Sequence, residues 1–514
     1  MLVRRSVIAA AAVLSFVLMP LTASAEDALT PVRGGTVVAS TDVEPASMDP
    51  GFGNAPGVDI RVFRLVYENL FFQNENGEYV PQLATDWTIA EDGLSIVFHI
   101  RQGVHFHDGT PLDAEAVAYN FNRMIDPDAK VRNGIFLIDL EKAEVVDEHT
   151  VKLILKQPSS IMMSSIANEM GMIASPTAMK KLGKDFARKP VGTGPFKFDS
   201  WVSGDRLRFS RFDDYWDKDK NGGQLPYLDR VEVRIIVDAV TKVIEAEAGT
   251  VQLVIDSIQP RDYKKIEANP ELNLAPDQLT NYNLLSFNLT EPPFKDNQKL
   301  RQAFTSAVDR ESMLKVIFPG TGMVMKGIFP PYAQEFNPDL KDYEYNTERA
   351  AQLYKESGYS GPPITLTLVQ RDPDTTIAQI LQAQWQAAGI PVKVELLERL
   401  AWTDKVYGHH YQVALHRLGG PRANTDIPNR YGREGGADHT GQVVLFDLVD
   451  GIRRTIDDDK RNAYYRELQQ KIVDNVIQMP LVGQRVHRVT NKHVKGLVQE
   501  LNGNWILSSA WLEK

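Results

Sequence analysis

The sequence predicts an α/β protein built from two or three domains. Short β-rich segments alternate with amphipathic helical segments along the chain, which is the pattern of an α/β fold. The length of 514 residues exceeds what one hydrophobic core covers. No low-complexity segment, coiled-coil heptad run or fixed-period repeat interrupts the alternation. We therefore expect a globular α/β body with any ligand site at the ends of its strands.

The N-terminal segment has the three-part layout of a secretory signal peptide. Arg4 and Arg5 come first, an apolar run over 6–20 follows, and Ala-Ser-Ala at 23–25 stands at the predicted cleavage site. The apolar run is too short to span a bilayer, and no other stretch reaches about 18 apolar residues. The sequence therefore predicts export to the periplasm, cleavage before Glu26 and no direct membrane insertion.

Charge and cysteine content exclude several classes of partner and site. The formal net charge is -10, and removal of a leader with two arginines takes it to -12. So acidic a chain is not expected to bind nucleic acid or an anionic membrane surface. Because the chain has no cysteine, disulfides, thiolate metal sites and lipid-modified cysteines are impossible. It also lacks a G-x-x-x-x-G-K-[ST] nucleotide loop and a G-x-S-x-G nucleophile elbow.

Successive βαβ units are predicted between residues 363 and 415. The segment "PITLTLVQ" is β-rich, and the helix after it has apolar residues at helical spacing and ends at Gly389 before the strand "PVKVELLE". Thr375 or Thr376 is the predicted N-cap of this helix. A helix over 400–407 and the strand "YQVAL" complete the next unit.

Positive side chains follow the strands of these units. Arg371 follows "LTLVQ", and His416 and Arg417 follow "YQVAL". Because ligands bind beyond the carboxyl ends of strands in open α/β sheets, we expect all three to reach one rim. The alternative is that these arginines are solvated surface charge or pair with Asp372, Asp374 and Asp426. The stretch 414–436 adds further cations against two acids: Arg422, Arg430 and Arg433 against Asp426 and Glu434.

Other segments are predicted as scaffold. In "VGTGPF", glycines allow a tight turn and Pro195 fixes φ before the strand "FKFDSW". The segment "PFKDNQKLRQAFTSAVDRESML" is predicted as a helix with Asp296 as its N-cap, and Asp309 and Arg310 as a structural ion pair. Arg453 is predicted to lie on the exposed face of a helix.

Five stretches carry a resemblance to a known family. In order, and over nearly the whole mature chain, they resemble the extracellular solute-binding proteins of family 5, which serve ABC importers and include dipeptide, oligopeptide, nickel and glutathione binders. The stretches are "VYENLFFQNENGEYVPQLATDW" (66–87), "FHIRQGVHFHDGTPLDAEAVAYNFNR" (98–123), "KPVGTGPFKFDSW" (189–201), "PFKDNQKLRQAFTSAVDRESML" (293–314) and "DDDKRNAYYRELQQKIVDNVIQMPLV" (457–482).

This resemblance implies a periplasmic clamshell of two lobes, with a small subdomain inserted in lobe I and hinge closure around a ligand. The implied partners are a membrane permease pair with cytoplasmic ATPases, and the protein itself is expected to be a monomer without cofactor or enzymatic activity. The implied segments are the signal peptide at 1–25, lobe I at 26–70 and 189–282, the inserted subdomain at 71–188, the hinge at 283–291, lobe II at 292–489 and a return to lobe I at 490–514.

The resemblance also implies where a ligand binds. In the dipeptide-binding branch, an arginine at the position of Arg371 grips the ligand carboxylate, and the loop after "YQVAL" holds the ligand's amine with an aspartate a few residues past a tryptophan. Here Arg417 stands at the tryptophan position and Gly420 at the aspartate position. Because a buried ammonium without a carboxylate is costly, we expect an anionic cargo held by arginines: an opine-like conjugate, an acidic peptide such as glutathione, or a sugar acid. The predicted ligand-binding residues are Arg371, His416, Arg417, Arg422 and Asp426.

Three alternatives stay open. The alternative cargo is a generic di- or oligopeptide held by backbone contacts, with Asp426 taking its amine, or a metal chelate. His105, His107 and Asp108 in "VHFHDG" could present metal ligands, although the same residues fit a strand-to-turn junction. The alternative to a binding protein is a secreted hydrolase acting on peptides or glycosides in a deep cleft, which would change its ligand chemically.

Overall fold

The computed structural model describes residues 30–53, 59–132, 134–256, 258–419, 423–433, 440–500 and 503–513, so the predicted signal peptide lies outside the described residues. The strands are β1 (Thr36–Thr41), β2 (Phe71–Gln73), β3 (Tyr79–Pro81), β4 (Ala84–Ile89), β5 (Ser95–Ile100), β6 (Leu140–Asp147), β7 (Thr150–Leu155), β8 (Phe196–Val202), β9 (Arg206–Arg211), β10 (Arg230–Ile235), β11 (Leu253–Val254), β12 (Leu272–Phe287), β13 (Gly322–Val324), β14 (Ile364–Val369), β15 (Val392–Leu397), β16 (Val413–Gly419), β17 (Gln478–Asn491), β18 (Val494–Lys495), β19 (Val498–Gln499), β20 (Trp505–Ile506) and β21 (Trp511–Leu512).

The α-helices are α1 (Ile60–Phe63), α2 (Ala114–Ile125), α3 (Ile161–Ile166), α4 (Pro176–Leu182), α5 (Ala239–Glu247), α6 (Tyr263–Glu267), α7 (Gln298–Ser306), α8 (Arg310–Ile317), α9 (Thr347–Glu356), α10 (Asp374–Ala387), α11 (Arg399–Tyr407), α12 (Ala423–Tyr431), α13 (Phe446–Arg454) and α14 (Asp458–Asp474). Within the described ranges, none of them combines the length and the apolar character that crossing a membrane requires.

One large mixed sheet joins two α/β lobes. Its order is β15-β14-β16-β12-β17-β11-β1-β10-β9-β8, with β13 beside β17. The long strands β12 and β17 pair with each other in its middle. The end of β12 (281–287) pairs with β16 of lobe II, whereas the end of β17 (489–490) pairs with β11 of lobe I. The predicted α/β fold of two lobes is therefore confirmed, with β12 and β17 as the strands that the lobes share.

The carboxyl ends of the strands in each lobe point toward the other lobe. In lobe I, β1, β10 and β11 are parallel, and β11 is antiparallel to β17, which runs from lobe II into lobe I. In lobe II, β14, β15 and β16 are parallel, and β16 is antiparallel to β12, which runs from lobe I into lobe II. Residues directly after these strands therefore lie on the two walls of the cleft between the lobes, where open α/β sheets bind ligands.

A further unit, which we call the inserted subdomain, has its own sheet and core. Strands β4, β5, β7 and β6 form a four-stranded sheet in that order, and α2 packs against it. Phe98, Val117 and Leu153 are among the buried residues that these elements share. All of these elements fall inside the predicted segment 71–188, whose boundaries stay a prediction.

The helix predicted after β14 is confirmed as α10. Ile377 and Trp385 are buried in the lobe II core, and Gly389 ends the helix with φ +72°, a conformation that favours glycine. The predicted N-cap is wrong. The Thr375 hydroxyl donates back to the Arg371 carbonyl (3.2 Å), and the helix begins without a side-chain cap.

The single helix predicted over 293–314 is wrong, because the segment forms two helices, α7 and α8, each with its own N-cap. Asn297 caps α7 by accepting a first-turn amide (3.1 Å), whereas Asp296 precedes it with φ 55°. The predicted ion pair of Asp309 with Arg310 is also wrong. Asp309 is the N-cap of α8, and the Arg310 guanidinium donates to the Asp342 carboxylate (2.7 Å). The unpaired amides of each first turn thus engage the acceptor that immediately precedes the helix.

Candidate functional site

Two of the predicted arginines meet at the end of β14 around one buried carboxylate. Arg371 follows β14, and its Nε donates to Oδ2 of Asp374 (2.7 Å), the first residue of α10. Arg417 lies in β16, directly opposite Asn283 of β12. The Asn283 amide donates to the other oxygen of Asp374 (2.9 Å), and the Asp374 side chain is 1% exposed. The four residues form one polar cluster on the lobe II wall of the cleft, which we call the arginine cluster.

The arginine cluster holds more positive than negative charge. Burial lowers the pKa of the Arg417 guanidinium, the carboxylate of Asp374 opposes that effect, and the charge of Arg371 adds to it. Among the described residues, no carboxylate lies within ion-pair distance of Arg417, whereas Asp374 pairs with Arg371. Asp374 therefore balances the charge of Arg371, and the positive charge of Arg417 remains for an incoming anion.

His416 lies on the opposite face of the sheet from Arg417. Consecutive residues of a strand point to opposite faces, and β16 continues through both positions. The His416 side chain is buried, its Nε2 is 2.6 Å from the Ser286 hydroxyl, and its ring lies edge-on to Trp402 of α11. The structure therefore does not bring His416 together with the arginine cluster.

Asp426 is likewise separate from the arginine cluster. It lies in α12, where its carboxylate is 3.7 Å from the guanidinium of Arg430 one turn later. Burial acts to lower the pKa of Arg430, but the charge of Asp426 and three neighbouring tyrosines together outweigh it, so the pKa is raised. A ligand amine at Asp426 would have to compete with this guanidinium. Arg422 and Gly420 lie outside the described residues.

The residues of "VHFHDG" are engaged in a turn. The His107 ring is 2.8 Å from the Gly194 carbonyl, and burial lowers its pKa to about 4. The Asp108 carboxylate accepts from the hydroxyls of Ser175 and Thr110 (both 2.6 Å). Nowhere in the described part of the chain do three metal-binding side chains converge. This geometry fits the strand-to-turn junction that the sequence left as the alternative to a metal site.

On the lobe I wall, two carboxylates of the loop after β1 already accept hydrogen bonds from neighbouring side chains. The Arg123 guanidinium donates to both oxygens of Asp49 (2.8 and 2.9 Å). Glu44 accepts from the indole of Trp201 (2.7 Å) and the hydroxyl of Ser203 (2.8 Å). A ligand cation would have to compete with these donors to reach either acid.

The inserted subdomain contacts lobe II at the end of α13. The Arg453 guanidinium makes two hydrogen bonds to the Asp139 carboxylate (2.6 and 3.0 Å), and the Ser160 amide donates to the Arg453 carbonyl (2.7 Å). The helix predicted around Arg453 is confirmed, but its predicted exposure is wrong, because the subdomain leaves the side chain 13% exposed. No local pattern marked these residues, since Asp139 is 314 positions away in the chain.

Comparisons with known proteins point to one family. The model of the bacterial extracellular solute-binding proteins, family 5 (middle), matches residues 78–433. The glutathione-binding protein GsiB of Salmonella paratyphi A is 32% identical over 474 residues, which cover 87% of this chain and 87% of the relative. The dipeptide-binding protein of Escherichia coli (strain K12) is 28% identical over 505 residues, covering 91% of this chain and 92% of the relative.

Solved structures agree over almost the whole length. The periplasmic binding protein DppA from Helicobacter pylori, in complex with the peptide STSA, has a TM-score of 0.80 and 25% identity and covers 94% of this chain and 99% of its own. The binding protein AgaA from A. tumefacien R10, in complex with agropinic acid, has a TM-score of 0.78 and 25% identity, with 93% and 99% covered.

Proposed function

The chain belongs to the bacterial extracellular solute-binding proteins of family 5 and is a substrate-binding protein of the ABC-importer type, and from that premise we propose that it captures a small peptide-like solute through an anionic group. We assign Arg417 and Arg371 as the donors to that group, with Arg422 as a further donor from the loop after β16. We assign His416 to the support of β16, because its buried ring bonds to Ser286.

The observation that carries this proposal is the charge of the arginine cluster. Asp374 pairs with Arg371 and only influences Arg417 from a longer distance, so the cluster presents one unbalanced positive charge. A carboxylate neutralises that charge and accepts paired N–H bonds from a planar guanidinium. The same positive charge would repel a cationic group.

Acids near the cleft give no comparable support to a cationic cargo. Asp426 faces Arg430, and Asp49 faces Arg123. A generic peptide with a free amine is therefore the second candidate, since its amine would have to displace one of these guanidinium groups. A metal chelate has less support, because His107 and Asp108 are already engaged by the surrounding turn.

Related proteins narrow the class of cargo further. Relatives are named for glutathione and for dipeptides, and structural neighbours hold a peptide and agropinic acid. An acidic peptide such as glutathione and an opine-like acid are consequently our leading cargoes, ahead of a sugar acid.

We further propose that the lobes close around the cargo as a clamshell, with the segment boundaries given above. The lobes share β12 and β17, and the pairing of these strands changes register at three places between Pro276 and Leu284. Irregular pairing leaves fewer ladder hydrogen bonds to resist bending. The predicted hinge at 283–291 begins where this irregular stretch ends, so we extend the proposed hinge back to Pro276.

The proposed setting is the periplasm, with a monomer delivering cargo to a permease pair that is driven by cytoplasmic ATPases. Export by a cleaved signal peptide predicts a mature N-terminus near Glu26. Intact-mass analysis of the protein released from the periplasm by osmotic shock measures it. A product that retains Met1, or that stays with the membrane fraction, contradicts the predicted processing.

A thermal-shift screen tests the proposed cargo. Glutathione, opines, sugar acids, and neutral and cationic peptides are each added to the purified protein. A ligand at about 100 times its dissociation constant adds roughly 2.7 kcal/mol of apparent stability, so true cargoes stand out. We expect the stabilising compounds to be mainly anions.

The same samples separate binding from hydrolysis. A binding protein returns its ligand chemically unchanged, whereas a secreted hydrolase converts it. Mass spectrometry of each stabilising compound after overnight incubation should recover it intact. Recovery of cleavage products would favour the hydrolase. If neutral and cationic peptides dominate the stabilising compounds in the screen, the proposal of an anionic cargo is wrong.

A further inference from the structure

We propose that Asp139, Ser160 and Arg453 form a latch that sets the affinity of the cleft for every cargo without touching the cargo. Asp139 and Ser160 belong to the inserted subdomain, and Arg453 lies in the last turn of α13 of lobe II. The proposal rests on the proposed clamshell function and adds to it a set of affinity-determining residues outside the ligand site.

The ion pair of the latch is buried and makes two contacts. Arg453 Nη2 donates to Asp139 Oδ1 (2.6 Å) and Nε to Oδ2 (3.0 Å), with the side chains 13% and 1% exposed. Such a paired, water-excluded geometry strengthens each hydrogen bond. Surface ion pairs at the same distances contribute little, because solvent screens them. The burial of this pair exists only while the subdomain and lobe II are in contact.

Ser160 caps the end of α13 from the other side of this contact. Its amide donates to the carbonyl of Arg453 (2.7 Å), and its hydroxyl donates to the carbonyl of Ile452 (2.8 Å). The last carbonyls of a helix lack partners within the helix, so the subdomain supplies donors that α13 cannot. Separation of the two units would return both carbonyls to solvent.

A cavity interrupts the apolar packing at this contact, which gives its polar bonds more weight. A cavity of about 140 Å³ lies within it, lined by Phe136 and Ile161 of the subdomain and by Pro428 and Val449 of lobe II. Side chains that line a cavity lose packing contacts on that side. The ion pair and the two capping bonds therefore contribute strength at this contact, together with a hydrogen bond from Arg454 Nε to Gln157 Oε1 (3.1 Å).

The latch affects affinity through the population of closed protein. When only the closed form binds tightly, the apparent dissociation constant equals the intrinsic one divided by the closed fraction. A bond made only in the closed form raises that fraction for every cargo alike. The arginine cluster then determines which cargo binds, and the latch determines how tightly any of them is held.

Methionine at 453 tests the latch without removing the other partners of Asp139. The carboxylate still accepts from the hydroxyl of Ser159 (2.7 Å) and from the amide of Gln157 (2.8 Å), so Arg453→Met is expected to fold. Ser160→Ala is a milder second variant that removes only the hydroxyl bond. Arg433→Met is the matched control, because Arg433 lines the same cavity but pairs with Asp447 and Asp450 inside lobe II.

Double electron–electron resonance measures the distance between two spin labels. In ligand-free protein, labels on the two sides of the contact report the separation of the subdomain and lobe II. Because the chain has no cysteine, Glu148→Cys in the subdomain and Val316→Cys in α8 provide unique label sites, and both positions are exposed. We expect a short and a long distance side by side in the ligand-free parent and in Arg433→Met, because the latch holds a fraction of the molecules closed while the rest stay open to cargo. Arg453→Met should lower the ratio of short to long distances at least tenfold, and Ser160→Ala less.

Each outcome decides the proposal. A folded Arg453→Met protein with the parent's distance distribution overturns the latch, as does a ligand-free parent with no short distance at all. Because this measurement needs no ligand, its result stands apart from the cargo screen. A latch that holds while every anion fails in the screen would count against the proposed cargo alone.

Discussion

Replacing Arg417 with alanine is expected to weaken binding of the best anionic ligand by about 2–5 kcal/mol, which is at least roughly thirtyfold in Kd. The guanidinium is half-buried beside Arg371 and carries the charge that Asp374 does not balance. Closure of the lobes excludes water from such a bond and strengthens it. Calorimetric titration with the ligand selected in the screen measures the loss, and the free energy of unfolding should hardly change.

The charge of the arginine cluster also predicts how a substitution at Arg371 changes anion binding. Arg371→Ala leaves Asp374 to neutralise Arg417, so it should also weaken anion binding. Arg349→Ala in α9 is the control, because this arginine of lobe II is about half-exposed and its nearest carboxylate, on Glu356, is 3.7 Å away. If both cluster variants bind like the parent protein, the arginines are only solvated charge and the anionic assignment is wrong.

The sequence could predict where the arginines of the cleft meet because that placement follows from local patterns. Alternating β and helical segments predict parallel strands, and the ends of such strands fall on one edge. Arg371 and Arg417 lie together on that edge. Asp374 as a partner of Arg371 was part of the alternative that the sequence left open. The hydrogen bond from Asn283 to its other oxygen was not predicted, because Asn283 comes from β12 far away in the chain.

His416 shows how a strand boundary changes a site. The predicted strand ended at Leu415, which left His416 and Arg417 free in a loop. In the structure β16 continues to Gly419, so neighbouring residues must face opposite sides of the sheet. One side faces the arginine cluster, and the other faces Trp402 of α11. Element boundaries are the least certain part of a sequence-based assignment. Here the predicted positions of both His416 and Arg417 depended on the boundary at the end of this strand.

Arg453 illustrates a feature that no local pattern reveals. The amphipathic spacing of α13 predicts which face of the helix packs on lobe II, and it leaves Arg453 outside that face. The inserted subdomain then covers the end of the helix with residues from a distant part of the chain. Contacts between separately folded units depend on how the units are arranged, which hydrophobic periodicity does not encode.

Glu68 sits in one of the stretches that carries the family resemblance, "VYENLFF", and is a buried acid without a cationic partner among the described residues. Its carboxylate accepts from four neutral donors: Tyr215 (2.7 Å), Trp216 (2.9 Å), Thr193 (2.9 Å) and Gln82 (3.3 Å). Burial raises the pKa of Glu68 from 4.5 to about 7, because the donors only partly replace the lost hydration of the charge. The residue therefore has a structural role and a pH-dependent effect on folding.

Glu68→Gln is expected to remove a pH-dependent loss of stability. Between about pH 4.5 and 7 the folded protein binds this proton and the unfolded chain does not, so the free energy of unfolding falls as pH rises through that window. A raised pKa of this size corresponds to about 3 kcal/mol in total. Denaturant unfolding at pH 5 and pH 8 should show that decrease in the parent and much less of it in Glu68→Gln, with the exposed Glu148→Gln behaving like the parent. Equal decreases in the parent and Glu68→Gln would mean that Glu68 is ionised throughout, with its four donors fully replacing water.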